Sequence, residues 1–163
     1  MSFFIKFIFN ENNVLFILKV HIMKKRYSGV IVKSGHKVLL CKRNYEGSLP
    51  GEWSIPSGKI EEGETPIDAA AREFQEETNL KVESPLTLCG MIKRRTRDGS
   101  EVKGLLYTFL MNSKDEIMPD LENAKDGHEH TECGYYSYDE LPKPISSQTK
   151  DLIKIVLSEK NID

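Results

Sequence analysis

The chain has 163 residues, a length that fits one domain at roughly 100–200 residues each. Hydrophobic residues make up 39% and charged residues 29%, which argues against wholesale disorder and against a membrane-embedded chain. With 23 Lys and Arg against 25 Asp and Glu the net charge is −2, so a bulk nucleic-acid binder is not expected and DNA is not an expected partner.

Residues 1–22 (MSFFIKFIFNENNVLFILKVHI) differ in character from the rest of the chain. Lys6, the polar Asn10-Glu11-Asn12-Asn13 and Lys19 break the apolar run well short of the roughly 18–20 residues of a membrane helix. A secretory signal lacks its basic start and its small-residue cleavage site. The segment reads as an N-terminal extension of uncertain role ahead of a second start at Met23, with residues 23–163 as the domain proper. An added β-hairpin and a weak membrane-surface anchor are the alternatives; no membrane partner is expected.

Tyr27–Lys33 and Lys37–Lys42 are β-prone runs joined by Ser34-Gly35-His36, a hairpin pattern. Arg43–Glu52 reads as a loop, and Trp53-Ser54-Ile55 as a short strand ended by Pro56. Thr65–Thr78 carries the strongest helix signal. Thr65 suits the cap, Pro66 the first helical position, and Asp68 completes the capping pattern. Ile67, Ala70, Ala71, Phe74 and Thr78 recur at helical spacing and predict its buried stripe. Pro85–Lys93 and Val102–Met111 are predicted strands, joined by the polar Arg94–Glu101. An acidic loop over Asn112–Gly127 precedes a strand over Cys133–Tyr138 and a closing helix over Ser146–Ser158. Many strands with two helices predict a mixed α/β layered domain. No C-x-x-C pair joins Cys41, Cys89 or Cys133, so neither a disulfide framework nor a zinc site is expected, and free thiols point to a reducing cytoplasm.

Glu73, Glu76 and Glu77 lie at i, i+3 and i+4 on the central helix, hence on one face. Like charges so placed repel, and hard oxygen donors suit Mg²⁺ or Mn²⁺. A solvated acidic face is the alternative at this point.

The upstream residues add context. Gly58, five residues, Glu64, seven residues, then Arg72-Glu73-Phe74-Gln75-Glu76-Glu77-Thr78-Asn79-Leu80 closely resembles the Nudix box, G-x5-E-x7-R-E-U-x-E-E-x-G-U, where U is a bulky apolar residue. Asn79 stands in place of the final Gly. Asn is the next-best residue for a left-handed position after a helix, so the geometry is expected to survive. Ser57 replaces a Gly common just before the box.

The resemblance implies the Nudix fold, a mixed β-sheet layered between helices in an α/β/α sandwich. It implies metal-dependent hydrolysis of a nucleoside diphosphate linked to another group. By match to the motif, Gly58 (through its carbonyl), Glu73, Glu76 and Glu77 would hold Mg²⁺ or Mn²⁺, Arg72 would orient the cluster through carboxylate pairing, and Glu64 would brace the loop or the water network around the ion. Their alternative is a purely structural ion pair. Glu129-x-x-Glu132-x-x-Tyr135 followed by Glu140-Leu141-Pro142 looks like the family's strand entry. It makes Glu129 the first candidate for general base or further metal ligand, and Glu132 the second. His128 and His130 are read as exposed loop residues and placed behind them. Arg43 would lie near the phosphates. Trp53 would stack on a base or belong to the core, and Arg94, in the run Lys93-Arg94-Arg95, would line the substrate entrance or sit on a solvated hairpin tip.

No subgroup marker names a substrate. The Pro expected about 15 residues past the box and the Tyr expected roughly 16–18 past it are Arg95 and Thr96–Asp98 here. ADP-ribose, a dinucleoside polyphosphate, a dinucleotide cofactor, a (d)NTP and an RNA 5′ end all stay open, on a monomer or homodimer. A non-catalytic nucleotide-binding module is disfavoured, since every box carboxylate is kept. A prenyl-diphosphate isomerase on the same fold lacks its expected Cys context.

Overall fold

The computed structural model describes residues 25–46, 49–95 and 102–158. The N-terminal extension, and with it the hairpin alternative, lies outside the described residues.

Strands β1 (Arg26–Ser34) and β2 (Lys37–Arg43) form the expected hairpin, with Gly35 at φ 57° in its turn. A left-handed backbone there is what glycine allows without strain. β3 is Trp53–Ser54, and β4 (Ser57–Lys59) is a strand that the Pro56 break had hidden. Helix α1 (Pro66–Thr78) comes next, then β5 (Thr87–Arg95), β6 (Val102–Ser113), β7 (His130–Tyr136) and α2 (Ser147–Ser158). Short 3₁₀ turns cover Gly127–Glu129 and Tyr138–Glu140.

The strands form one mixed sheet in the order β3-β2-β1-β6-β5, with β4 on β1 and β7 on β2. β1 runs parallel to β6, while β1–β2, β1–β4, β2–β3, β2–β7 and β5–β6 are antiparallel. β2 pairs with only the last residues of β1, and β4 takes its first residues. The Ser57-Gly58 backbone is thereby brought against α1.

Alternation along β1 sends Val30 and Val32 to one face and Ile31 to the other. The first face packs Ala70 and Phe74 of α1 with Leu39, Phe109 and Met111. The second packs Leu152, Ile153 and Val156 of α2 with Val38, Leu40, Leu106 and Leu110. A sheet between two helices is the expected α/β/α layering. Among the described residues no helix is long and apolar enough to cross a membrane.

α1 is held at both ends as its sequence predicts. Thr65 Oγ1 accepts from the Asp68 N–H at 3.3 Å, and Asn79 sits at φ 58° with its N–H on the Gln75 carbonyl at 2.9 Å. Asn79 thus takes the left-handed turn that the box gives to Gly. The buried stripe is rotated from the expected one. Ala69, Ala70, Phe74, Glu77 and Thr78 are buried, whereas Ile67 is 41% exposed. The helix turns two glutamates toward β4 and gives up Ile67 to solvent.

Candidate active site

The site is organised by Arg72. Its Nε and one terminal nitrogen each donate to a different oxygen of Glu64 at 2.9 Å, a bidentate pair. The same terminal nitrogen donates to the Lys59 carbonyl at 2.9 Å. The other donates to Glu73 at 2.8 Å and to Glu76 at 3.1 Å. One guanidinium therefore ties the loop after β4 to two of the three helix glutamates. The Arg72 hydrogen bond holds the Glu64 carboxyl below its ordinary range. The Lys125 ammonium, then Arg72, does the same for Glu76. Glu73 goes the other way. Burial pushes its carboxyl up, and repulsion from Glu77 and Glu76 adds to this against the pull of Arg72.

Gly58 makes room for Glu73. A Cβ on Gly58 would stand 2.1 Å from the Glu73 carboxyl carbon and from one of its oxygens. Next to it the Ser57 N–H donates to Glu77 Oε2 at 2.9 Å. Glu77 is 1% exposed and also meets His130 Nε2 at 3.0 Å through Oε2. Gly58, Glu73 and Glu77 therefore lie side by side where β4 abuts α1.

The acidic loop is docked on the end of α1. The Asp126 N–H donates to the Glu76 carbonyl at 2.8 Å, and the Asp120 N–H to that of Thr78 at 2.9 Å. The loop returns as the 3₁₀ turn Gly127–Glu129, whose Glu129 pairs with Arg43 at 3.2 Å. Asn44 fixes that turn, with its N–H on the Glu129 carbonyl at 2.7 Å and its side chain on the His128 carbonyl at 2.9 Å.

Beside this cluster lies a cavity of about 420 Å³ between β3, β5 and the start of α2. Ile55, Ile92 and Leu106 supply apolar wall; Glu52, Ser54 and Arg94 supply polar groups. The Arg94 guanidinium lies 4.4 Å over the Tyr27 ring. Burial, then the nearby Arg43, lowers its hold on the proton, while burial raises the Glu52 carboxyl. Ser54 Oγ is buried and has no hydrogen-bond partner among the described residues.

The family model of the NUDIX domain matches residues 23–155. The chain belongs to the NUDIX family. An 8-oxo-dGTP diphosphatase of Proteus vulgaris is 31% identical over 111 residues, which are 68% of this chain and 92% of that protein. An RNA pyrophosphohydrolase of Rhizobium meliloti (strain 1021) is 43% identical over 51 residues, 31% of this chain and 30% of the relative. A MutT NUDIX hydrolase structure from Burkholderia pseudomallei superposes with TM-score 0.67 at 22% identity, covering 81% of this chain and 97% of its own. A C. elegans Ap4A hydrolase does so with TM-score 0.56 at 19% identity, covering 81% and 94%. At those identities the two structures speak for the fold. As a NUDIX enzyme the protein is a hydrolase of pyrophosphate bonds.

The site gathers the NUDIX box as the sequence predicts, with Arg72 at its centre and Glu64, Glu73 and Glu76 on it. Glu129 pairs with Arg43 at 3.2 Å, on the 3₁₀ turn that follows the loop docked on α1. Glu132 is exposed and 3.9 Å from Lys42. Trp53 is a core residue: it is 4% exposed and packs edge-on against Tyr136 at 5.2 Å, so its ring offers no face for a base. Arg94 belongs to the cavity wall, not to a solvated tip, because β5 extends through Arg95. His130 is not an exposed loop residue but the buried first residue of β7. Cys41 and Cys133 are not free thiols. They face each other across β2 and β7 and form a disulfide, so the expectation of a reducing compartment loses the basis these two thiols gave it.

Glu52, Ser54, Lys125 and, as the partner of Glu77, His130 are site residues that sequence reasoning misses. Strand alternation carries a signal for two of them: with Trp53 facing the core, Glu52 and Ser54 must face away from it.

Proposed function

We propose that the protein hydrolyses a nucleoside 5′-polyphosphate with a divalent cation at the Gly58–Glu73–Glu77 cluster. The observation that carries this reading is the Gly58 cradle: a backbone stripped of its side chain lies against a carboxylate crowded by two others. Among the described residues no three His, Cys, Asp or Glu side chains form a ready-made metal cluster. The donor set fits a hard cation all the same. Its donors are carboxylate oxygens and a backbone carbonyl, and a cation there would offset the repulsion that Glu77 and Glu76 exert on Glu73. Gly58, Glu73, Glu77 and, from its edge, Glu76 would hold Mg²⁺ or Mn²⁺. Bound there, the ion neutralises pyrophosphate charge and acidifies a water.

The chain's own groups do the rest. Arg72, locked by Glu64, holds Glu73 and Glu76 in place and is spent on protein oxygens, so it positions rather than binds substrate. Glu129 accepts the proton of the attacking water, with Arg43 keeping its carboxylate in place. Arg94 meets substrate phosphate or ribose at the cavity mouth, and the cavity takes the base. Cavities of roughly 300–1,000 Å³ suit small ligands, so a mononucleotide or dinucleotide is of the right scale.

The 8-oxo-dGTP diphosphatase relative, matched over most of its length, supports a purine nucleoside triphosphate as first substrate to test. The RNA pyrophosphohydrolase relative supports an RNA 5′ end as second reading. That match spans under a third of the relative, and the near-neutral charge offers little to a long phosphate backbone. Phosphate and pyrophosphate release should be measured over nucleoside triphosphates, oxidised purine triphosphates, dinucleoside polyphosphates, ADP-ribose and 5′-triphosphorylated RNA, with Mg²⁺ and with Mn²⁺. A mononucleotide product from a purine triphosphate supports the first reading. Release only from RNA supports the second, and release from none overturns both.

A further inference from the structure

His130 and Glu77 are a histidine and a glutamate buried against one another, His130 Nε2 at 3.0 Å from Glu77 Oε2, with side chains 0% and 2% exposed. Glu77 Oε2 also takes the Ser57 N–H. Both contacts fall on one oxygen, and Oε1 takes neither. His130 Nδ1 is buried with no hydrogen-bond partner among the described residues. A histidine placed for packing or stability would not leave a ring nitrogen so exposed to the cost of desolvation. Apolar residues in place of the whole His130–Glu77 pair would serve the fold as well or better.

The backbone goes out of its way to put the ring there. Cys133 and Tyr135 pack toward the α1 side of the sheet, while Glu132 turns to Lys42. Strict alternation would send His130 to the same side as Glu132. The β2–β7 register shifts between Lys42 and Arg43, where Lys42 faces Glu132 but Arg43 faces His130. Thr131 is skipped, and the irregularity turns His130 toward α1. Bulges next to active sites commonly re-aim a side chain in this way.

The geometry points to His130 as the positioning residue for the Glu77 carboxylate. Its Nε2–H, with the Ser57 N–H, clamps Oε2 in one rotamer and presents Oε1 to the divalent cation. The inference rests on the metal reading of the Gly58–Glu73–Glu77 cluster. It adds a residue outside the box that sets how tightly the box holds its ion.

The test compares His130→Leu, which keeps bulk and removes the donor, with His130→Gln, whose amide nitrogen reaches to about the place of Nε2. Mn²⁺ binding to the full chain, without substrate, is followed by the loss of the free-ion electron paramagnetic resonance signal, with thermal unfolding in parallel. Partners of metal ligands commonly contribute 10–100-fold in affinity, so His130→Leu should weaken Mn²⁺ binding by at least about tenfold and His130→Gln by less than about threefold. Both should melt cooperatively. In the assay with Mg²⁺ below saturation, His130→Leu should lose activity that added Mg²⁺ restores. Equal Mn²⁺ binding in all three proteins overturns the inference, as does a Gln variant as weak as the Leu variant. If neither variant folds, His130 serves the fold and the inference is again overturned. A wild-type protein that binds no Mn²⁺ fails the metal reading itself, a result distinct from wild-type binding that His130→Leu leaves unchanged.

Discussion

Gly58→Ala is the substitution whose effect the structure fixes most closely. The added Cβ would stand 2.1 Å from the Glu73 carboxyl carbon and 2.1 and 2.3 Å from its two oxygens. Ordinary contact begins near 3.4 Å, so the carboxylate must retreat by more than 1 Å. It is the far end of a flexible side chain and can do so. The backbone need not move, and the fold should lose only about 1–3 kcal/mol, the usual cost of one extra buried carbon. The chemistry fares worse, since a misplacement of about 1 Å at a reacting centre costs on the order of 10²-fold. The expectation is a cooperative melt a few degrees lower and kcat/KM down by about 10²-fold or more. Both are measured on the best substrate of the nucleotide panel with saturating Mg²⁺. On a Glu73→Gln background the same change should add little, because the two act through one carboxylate. An alanine variant within about threefold of wild type would refute the cradle, for a carboxylate shifted that far cannot still serve.

Glu76→Gln should leave the fold intact and remove most hydrolysis, read from kcat at saturating Mg²⁺ beside the melting curve. Glu129→Gln should lower kcat by about 10²–10⁴-fold with KM little changed, as a lost general base does; equal losses in both would make it a binding residue. Thiol titration of the native protein should find Cys89 alone, and reduction of Cys41–Cys133 should cost about 2–4 kcal/mol in denaturant melts; three reactive thiols and no shift would contradict the disulfide. Glu64 has a depressed carboxyl pKa, so its share of stability is present above the ordinary carboxylate range and is lost as pH falls through the folded value. Glu64→Gln should therefore flatten the acid limb of stability against pH, and an unchanged limb would put that pairing in doubt.

The parts of this molecule that are legible in its sequence are those set by local chemistry. Thr65, Pro66 and Asn79 bound α1 because capping needs only neighbours along the chain. The spacing of Gly58, Glu64, Arg72 and the three glutamates is readable for the same reason, the loop and helix being contiguous. The hairpin of β1 and β2 comes from Gly35. What is not legible depends on partners distant in sequence. β4 exists only because β1 leaves its first residues unpaired by β2, and nothing in Ser57-Gly58-Lys59 announces a strand. The expected stripe of α1 is misplaced toward Ile67 because a hydrophobic pattern cannot show a helix burying Glu77 instead. Cys41 and Cys133 are 92 residues apart, and only the β2–β7 register makes them opposite. His130 ranks behind Glu129 in the sequence because a one-residue shift in that register decides which way it faces. For Arg94 the solvated-tip alternative stays open in the sequence for the same class of reason, a strand end placed two residues early.

Hydrolysis of the best panel nucleotide by wild type and by Glu73→Gln, measured side by side over a Mg²⁺ titration that starts from chelated protein, tests the central claim most directly. Wild type should show no release without Mg²⁺ and saturable release with it, while Glu73→Gln should fall by on the order of 10²-fold or more at every Mg²⁺ concentration and keep its cooperative melt. Release that persists in chelator, or a Glu73→Gln protein that turns over like wild type, would show that the cluster at Gly58, Glu73 and Glu77 is not where this enzyme does its chemistry.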